Sequence, residues 1–151
     1  MGTGVSNSPI TQPTCGLLPA KSATAVVVAA AALEIPTAAV LVVDPSLFSG
    51  LLFGVTMTSP GEALGRISGV ALLALAVACW PRTKTEEALA PRLQTLFLFS
   101  ALAAAYLLCL GISEQLVGIL LWPAAATHAA FAILLALAWS QSRLHGSRGG
   151  T

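Results

Sequence analysis

Residues 93–111 have the sequence LQTLFLFSALAAAYLLCLG, in which no side chain carries a charge. As a helix this stretch rises about 28 Å, close to the roughly 30 Å thickness of the hydrocarbon core of a bilayer. Apolar and polar residues do not alternate along it, as they would in a strand of an outer-membrane barrel. The stretch therefore predicts a transmembrane helix.

Three further stretches, residues 22–43, 63–80 and 116–139, are also apolar and long enough to span a bilayer. The span over residues 22–43 is the least favourable to insert, because it contains Glu34. An ionised carboxylate at the centre of a span costs about 2.5–3.5 kcal/mol, which offsets the gain from the apolar residues around it. A protonated or paired Glu34 favours insertion. Since each spanning helix satisfies its own backbone hydrogen bonds, we predict an all-α integral membrane four-helix bundle over residues 22–140.

The overall composition agrees with a membrane protein. Of the 151 residues, 56% are hydrophobic and only 9% are charged, and the mean hydropathy is +0.87. A soluble domain carries about a quarter charged residues, so this chain cannot coat a soluble globule. The formal net charge is only +1, whereas a nucleic-acid-binding protein needs basic residues clustered on one face. We therefore expect the lipid bilayer, and no nucleic acid, as a partner.

Basic residues are distributed unevenly between the two ends of the predicted bundle. If both termini and the loop after the second span share one side, that side holds Lys21, Arg82, Lys84, Arg92, Arg143 and Arg148. The other side has only Arg66. Because Lys and Arg are enriched in cytoplasmic loops, we predict that both termini are cytoplasmic. Trp80 and Trp139 then fall at cytoplasmic span ends, where interfacial tryptophans are common.

The segments outside the four spans are short. Residues 1–21, rich in Gly, Ser, Thr and Pro, are predicted to be a disordered lead, and residues 141–151 a flexible cytoplasmic tail. In the first outer loop, Asp44-Pro45 is a typical helix start. It predicts a short interfacial helix whose apolar face is formed by Leu47, Phe48, Leu51, Leu52 and Val55. A re-entrant hairpin broken at Gly50 and Gly54 is the alternative.

The sequence lacks the usual motifs of catalysis and of metal binding. The three cysteines form no Cys-x-x-Cys motif, and Cys79 and Cys109 fall at opposite ends of the predicted bundle. No Ser/His/Asp order, His/Cys metal spacing or Gly-rich phosphate loop is present. We therefore predict unpaired thiols, no cofactor, no metal site and no enzymatic activity.

Ionisable and polar groups inside the spans are the best site candidates. By the rise per residue, Glu34 lies roughly 13 Å, Ser100 roughly 16–18 Å and His128 roughly 18 Å below the outer ends of their spans, whereas Tyr106 and Arg66 are shallower. Alanines flank Glu34 and His128 at helical spacing, so both side chains are expected to point into the bundle. We predict a polar site formed by Glu34, Arg66, Ser100, Tyr106 and His128.

Two prolines are expected to add polar groups to this site. Pro36 would free the carbonyl of Ala32, and Pro123 that of Ile119, while Thr37 and Thr127 bond nearby carbonyls. The result would be a small polar cavity that opens toward the outer face through Arg66.

Each of these residues also has a structural explanation. Glu34 is either a neutral hydrogen-bond donor that fixes helix packing or shares one proton with His128 as a coupled pair. Arg66 follows Glu62 by four residues, which suffices for a local ion pair. Gly65 and Gly69 allow close helix packing, either within one chain or in a homodimer.

Several motifs are similar to those of an uncharacterised family of small bacterial four-helix membrane proteins. They are ALEIP (residues 32–36), DPS (44–46), LLFG (51–54), LGRISGVALLALAVACW (64–80) and LLWPAAATHA (120–129). The resemblance covers about residues 25–140 and implies a multi-pass protein of the bacterial inner (plasma) membrane, without an activity to carry over. The chain resembles DoxX-type proteins only in size and helix count.

Two functions follow as expectations. The first is a small non-enzymatic inner-membrane protein, an accessory subunit that packs against a larger membrane complex. The alternative is a small dimeric proton-coupled transporter that uses Glu34, because the position of this carboxylate is similar to that in small multidrug-resistance transporters, although the surrounding motif is not. A membrane enzyme acting on a lipid or quinone is disfavoured, since paired carboxylates and an activated nucleophile are missing.

Overall fold

The computed structural model describes residues 20–81, 89–113 and 116–146, and the regular structure in these ranges is entirely helical. The helices are α1 (Ala20–Val43), α2 (Pro45–Phe53), α3 (Ser59–Cys79), α4 (Leu89–Ser113) and α5 (Leu121–Gly146). Four segments are long and apolar enough to cross a membrane, namely Ser22–Val43, Ser59–Cys79, Leu89–Ser113 and Leu121–Gln141. The predicted all-α chain with four candidate membrane helices is confirmed.

Some predictions concern residues that the structure does not describe. The polar lead up to residue 19, with Cys15, lies outside the described ranges, as do Arg82, Lys84 and Arg148. At the other end, α5 continues through Gly146. The first six residues of the predicted tail are therefore helical.

The starts of α3 and α5 differ from the predicted spans. α3 begins at Ser59 instead of residue 63; Thr58 is its N-cap residue, without a side-chain capping bond, and Pro60 lies in its first turn. α5 begins at Leu121 instead of residue 116, so the prediction of helix over residues 116–120 is wrong. Two N–H groups of this segment, those of Gly118 and Leu120, donate to carbonyl oxygens at the end of α2 (3.0 and 2.9 Å), which have no partner within their own helix.

The later start of α5 changes the role predicted for Pro123. This residue lies in the first turn of α5, where a missing N–H costs nothing. It therefore frees no carbonyl within the span, and the prediction for Ile119 is wrong. Pro36, in contrast, lies inside α1. As predicted, the hydroxyl groups of Thr37 and Thr127 donate to carbonyl oxygens one turn earlier (3.2 and 2.8 Å).

α2 is a short helix that packs on the bundle. The Asp44 carboxylate accepts a hydrogen bond from the Leu47 N–H (2.9 Å), and Gly54 ends the helix in a left-handed conformation (φ 75°). The predicted helix is thus confirmed, and Gly50 does not break it. The predicted apolar face is only partly covered: Leu52 is buried and Phe48 half-buried, whereas Leu47 and Leu51 are exposed, and Val55 lies beyond the end of the helix and is also exposed.

The long helices associate mainly in two pairs, α1 with α3 and α4 with α5, and α1 also contacts α4 and α5. Gly65 and Gly69 allow the first pair to pack closely. A Cβ atom on Gly69 would lie 2.9 Å from the Ala38 carbonyl oxygen and from Leu41 Cβ, and one on Gly65 would lie 2.7 Å from Pro45 Cβ. The motif therefore serves packing within the chain, and α1 and Pro45 cover the face that a homodimer through these glycines would need.

One apolar cluster joins the two pairs, and a second packs α2 against α4 and α5. One cluster joins α1, α3, α4 and α5 and contains Ala23, Val27, Ala30, Cys79, Leu93, Leu96, Leu135 and Ala138. Beside it the rings of Phe97 and Trp139 lie 6.1 Å apart. The second cluster, at the α2 end, consists of Leu52, Leu107 and Ala125 with Phe48, Phe53 and Ala124 packed against it. Between the two clusters, α3 and α4 make few contacts with each other.

Candidate functional site

A cleft of about 490 Å³ lies where α3 and α4 part, and we call it the lateral cleft. All five helices contribute residues to its lining, with α2 at one end. Its apolar lining comprises Leu41, Phe48, Leu52, Phe53, Ala71, Leu72, Leu75, Phe99, Ala103 and Leu107. The polar side chains that reach it are Glu34, Thr37, Ser68, Tyr106 and His128.

Glu34 is the acidic group of the lateral cleft. Its residue is only 4% exposed, and among the described residues its carboxyl group has no hydrogen-bond or ion-pair partner. The alanines one turn before and after it (Ala30, Ala31 and Ala38) are all buried. Small side chains on this face bring the neighbouring helices close to α1, which turns Glu34 inward, as predicted.

His128 contributes an imidazole to the same cleft. Its Nδ1 atom is buried and has no hydrogen-bond partner. The ring meets Phe99 edge to face, with centroids 5.8 Å apart and an interplanar angle of 78°. Both His128 and Glu34 line the cleft, but within the described part of the chain no hydrogen bond or ion pair joins them. The coupled pair that the sequence left open is not formed in this structure.

The shorter α5 also changes the depth of His128. Counted from Leu121, the histidine lies about 10 Å into its helix, where the predicted span gave roughly 18 Å. Glu34 remains about 13 Å from the end of α1 at Val43. The two groups thus lie at comparable depths from the α2 end.

The other three candidates are placed differently. Arg66 does not line the cleft: its side chain is 51% exposed and lies 3.6 Å from the Glu62 carboxylate. The prediction that Arg66 lies inside the bundle is therefore wrong, and the local ion pair is what the structure shows. The reason is geometric, since Gly65 and Gly69 occupy the inward face of α3. Ser100 is buried outside the cleft lining, and Tyr106 lies at its rim, 62% exposed.

Apart from Tyr106, the sequence analysis missed the aromatic residues that line the cleft. Phe99, Ala103, Tyr106 and Leu107 follow one another at helical spacing on α4 and all line the cleft. This i, i+4, i+7, i+8 spacing in the sequence is typical of residues that share one face of a helix. Phe48 and Phe53 carried no such signal, because their position depends on how α2 docks on the bundle.

Chemically, the cleft offers one carboxyl group and one imidazole within an apolar, aromatic surface. In the described ranges, no three His, Cys, Asp or Glu residues cluster in a way that could hold a metal ion. Cys79 is buried, Cys109 is exposed, and both are free thiols, as predicted. Comparison of the chain with protein-family models, with curated proteins and with solved structures found no match.

Proposed function

We propose that the protein is a small non-enzymatic membrane protein that acts as an accessory subunit, packing against a larger complex in the bacterial inner membrane, with both of its termini in the cytoplasm. The observation that carries this proposal is the uncovered side of α3. Only 22% of its apolar window is buried, the lowest share among the four spans. The inward side of α3 is occupied by α1, and its other side exposes Leu64, Ile67, Val70, Leu73 and Val77.

Two further features support an accessory role. The described connections between helices are short, such as residues 54–58 between α2 and α3, and leave no room for a catalytic domain. Among the described residues, the cleft holds one carboxyl group and one imidazole with no hydrogen bond or ion pair between them, so they do not form an oriented acid–base pair. These surfaces therefore suit the binding of another molecule and not catalysis.

A tagged chain extracted in mild detergent tests the proposal. We expect it to co-purify with a larger membrane protein at fixed stoichiometry. Ile67→Trp, on the uncovered side of α3, should reduce the recovery of that partner. Ile133→Trp on α5 is the matched control, because Ile67 and Ile133 are similarly exposed (66% and 61%). Purification as a lone monomer or homodimer would contradict an accessory role.

A dimeric proton-coupled transporter that uses Glu34 is the second candidate. It is favoured by one observation, the buried carboxyl group without a partner in a cleft at the side of the bundle. The dimer that it requires has to form elsewhere than at Gly65 and Gly69, which α1 and Pro45 cover. A homodimer whose exchange of protons for a lipophilic cation is lost in Glu34→Gln would support this candidate.

A further inference from the structure

A carboxyl group in the lateral cleft lacks a partner. Glu34, a residue only 4% exposed, lines the cleft, and its carboxyl group has no hydrogen-bond or ion-pair partner among the described residues. Polar groups on buried residues are nearly always hydrogen-bonded, because leaving them unpaired is costly. A molecule that enters the cleft and bonds this carboxyl group would remove the cost. The site is therefore incomplete as the chain alone forms it.

The charged groups of the lining indicate the sign of the charge on that molecule. No Lys or Arg is among the described residues that line the cleft, and Arg66, the basic residue of α3, is exposed and pairs with Glu62. The complement of a carboxylate in such surroundings is a cation that donates hydrogen bonds. An ammonium group has several N–H donors, enough for both oxygens of the Glu34 carboxylate, and the imidazole of His128 lines the same cleft.

The walls of the cleft match such a group and an apolar chain attached to it. The rings of Phe48, Phe53, Phe99 and Tyr106 all line the cleft, and aromatic faces attract cations. Leu72 on α3 and Leu107 on α4 extend the apolar lining. An alkyl chain lying between these two helices would contact apolar atoms along its length.

The volume of the cleft and the depth of Glu34 further limit the class of molecule that can bind. A volume of about 490 Å³ falls within the range of about 300–1,000 Å³ that is typical of sites for single small molecules. Glu34 lies about 13 Å inside the end of α1. The amine of a phospholipid headgroup cannot reach this depth without drawing its phosphate into hydrocarbon. The occupant is therefore a free amphiphile and not a bilayer lipid.

We propose that the lateral cleft binds a single-chain lipophilic amine. Its ammonium group donates hydrogen bonds to the carboxylate of Glu34, and its chain lies between α3 and α4. This site is additional to the partner surface on α3 and does not depend on the accessory role.

Photolabelling of the intact protein in phosphatidylcholine nanodiscs tests this proposal. The probe is dodecylamine with a diazirine in its chain, and mass spectrometry locates the labelled residues. We expect labelling to concentrate on the cleft-lining residues of α3 and α4. Unlabelled dodecylamine should compete, whereas dodecanol and dodecanoate should not. Labelling spread evenly over all exposed helix faces, or equal competition by dodecanol, would overturn the proposal.

Two variants and one lipid exchange complete the test. Glu34→Gln should weaken competition by dodecylamine at least about tenfold, since it removes a charge-assisted hydrogen bond. Ala71→Phe should block labelling by filling the cleft, whereas Ile67→Phe, on the same helix but outside the cleft, should not. Unchanged labelling in Ala71→Phe would contradict the site. Nanodiscs of phosphatidylethanolamine should label equally well, and suppressed labelling there would show that a lipid headgroup occupies the cleft instead.

Discussion

At the scale of single residues, short-range patterns were informative and long-range placement was not. The alanines at helical spacing around Glu34 predicted that it faces inward, and it does. Arg66 was also predicted to face inward but does not, because the neighbouring glycines occupy the inward face of α3. The sequence shows which residues lie three or four positions apart, but not which side of a helix its neighbour will cover.

Replacement of Glu34 by Gln should leave assembly and thermal unfolding nearly unchanged. Glutamine keeps the size and a hydrogen-bond donor, and no bond between described residues is lost. Size-exclusion chromatography and thermal unfolding in nanodiscs measure both properties. Ala38→Gln is the control, because the same amide at this fully buried position overpacks the contact with α3 and should cost about 1–3 kcal/mol. Failure of Glu34→Gln to fold would show that the ionised carboxylate is needed.

Two glycines make a matched pair for alanine substitution. A Cβ atom on Gly118 would collide with the Leu51 carbonyl oxygen and lie 2.6 Å from the Leu52 carbonyl carbon, whereas one on Gly50 would have nothing within 4 Å. Gly118→Ala should therefore lower the free energy of unfolding by at least about 1–3 kcal/mol, as overpacking does. Gly50→Ala should be neutral or raise it by up to about 1 kcal/mol. Equal melting temperatures for the two variants would refute the close docking of residues 116–120 on α2.

At the scale of elements, the start of α2 was predictable from the local sequence, whereas the starts of α3 and α5 were not. Asp44 and Pro45 mark the start of α2 in the sequence, and the cap is present. The start of α5 was missed because residues 116–120 are as apolar as the helix that follows. What keeps them out of the helix is their hydrogen bonding to the end of α2, a partner far away along the chain and invisible to hydropathy.

Loss of the N-cap should loosen α2 selectively. Asp44→Ala removes the acceptor of the Leu47 N–H bond, which should cost about 0.5–2 kcal/mol. Hydrogen exchange should then speed up in the first turn of α2 before it does in α1 or α3. Asp44→Asn keeps the acceptor and should exchange like the original protein. If the two variants behave alike, the cap does not stabilise α2.

At the scale of the whole molecule, hydropathy predicted four spans but not how they pair. The lateral cleft exists because α3 packs mainly on α1 and α4 mainly on α5. Which helices pair depends on complementary shapes, such as Gly69 against Leu41. A count of apolar residues cannot predict this pairing. The polar site was therefore only partly predictable: Glu34, Tyr106 and His128 line one cleft, whereas Arg66 and Ser100 do not.

The orientation of the molecule is open to a direct test. Because six of the seven basic residues fall on one predicted side, reporter fusions after Gln94 and after Arg143 should both report the cytoplasm. A fusion after Thr56, between α2 and α3, should report the opposite compartment. A signal from outside the cytoplasm at either of the first two positions would refute the predicted topology.

The position of α2 has a consequence for exchange. Because Phe48, Leu52 and Phe53 close the cleft at the α2 end, its occupant would arrive sideways, from among the lipid tails. Occupancy would then follow the mole fraction of the ligand in the bilayer rather than its aqueous concentration. Dilution with buffer should scarcely empty a site supplied in this way, whereas added lipid vesicles should draw the ligand out. The membrane would act as the reservoir from which this small protein samples its ligand.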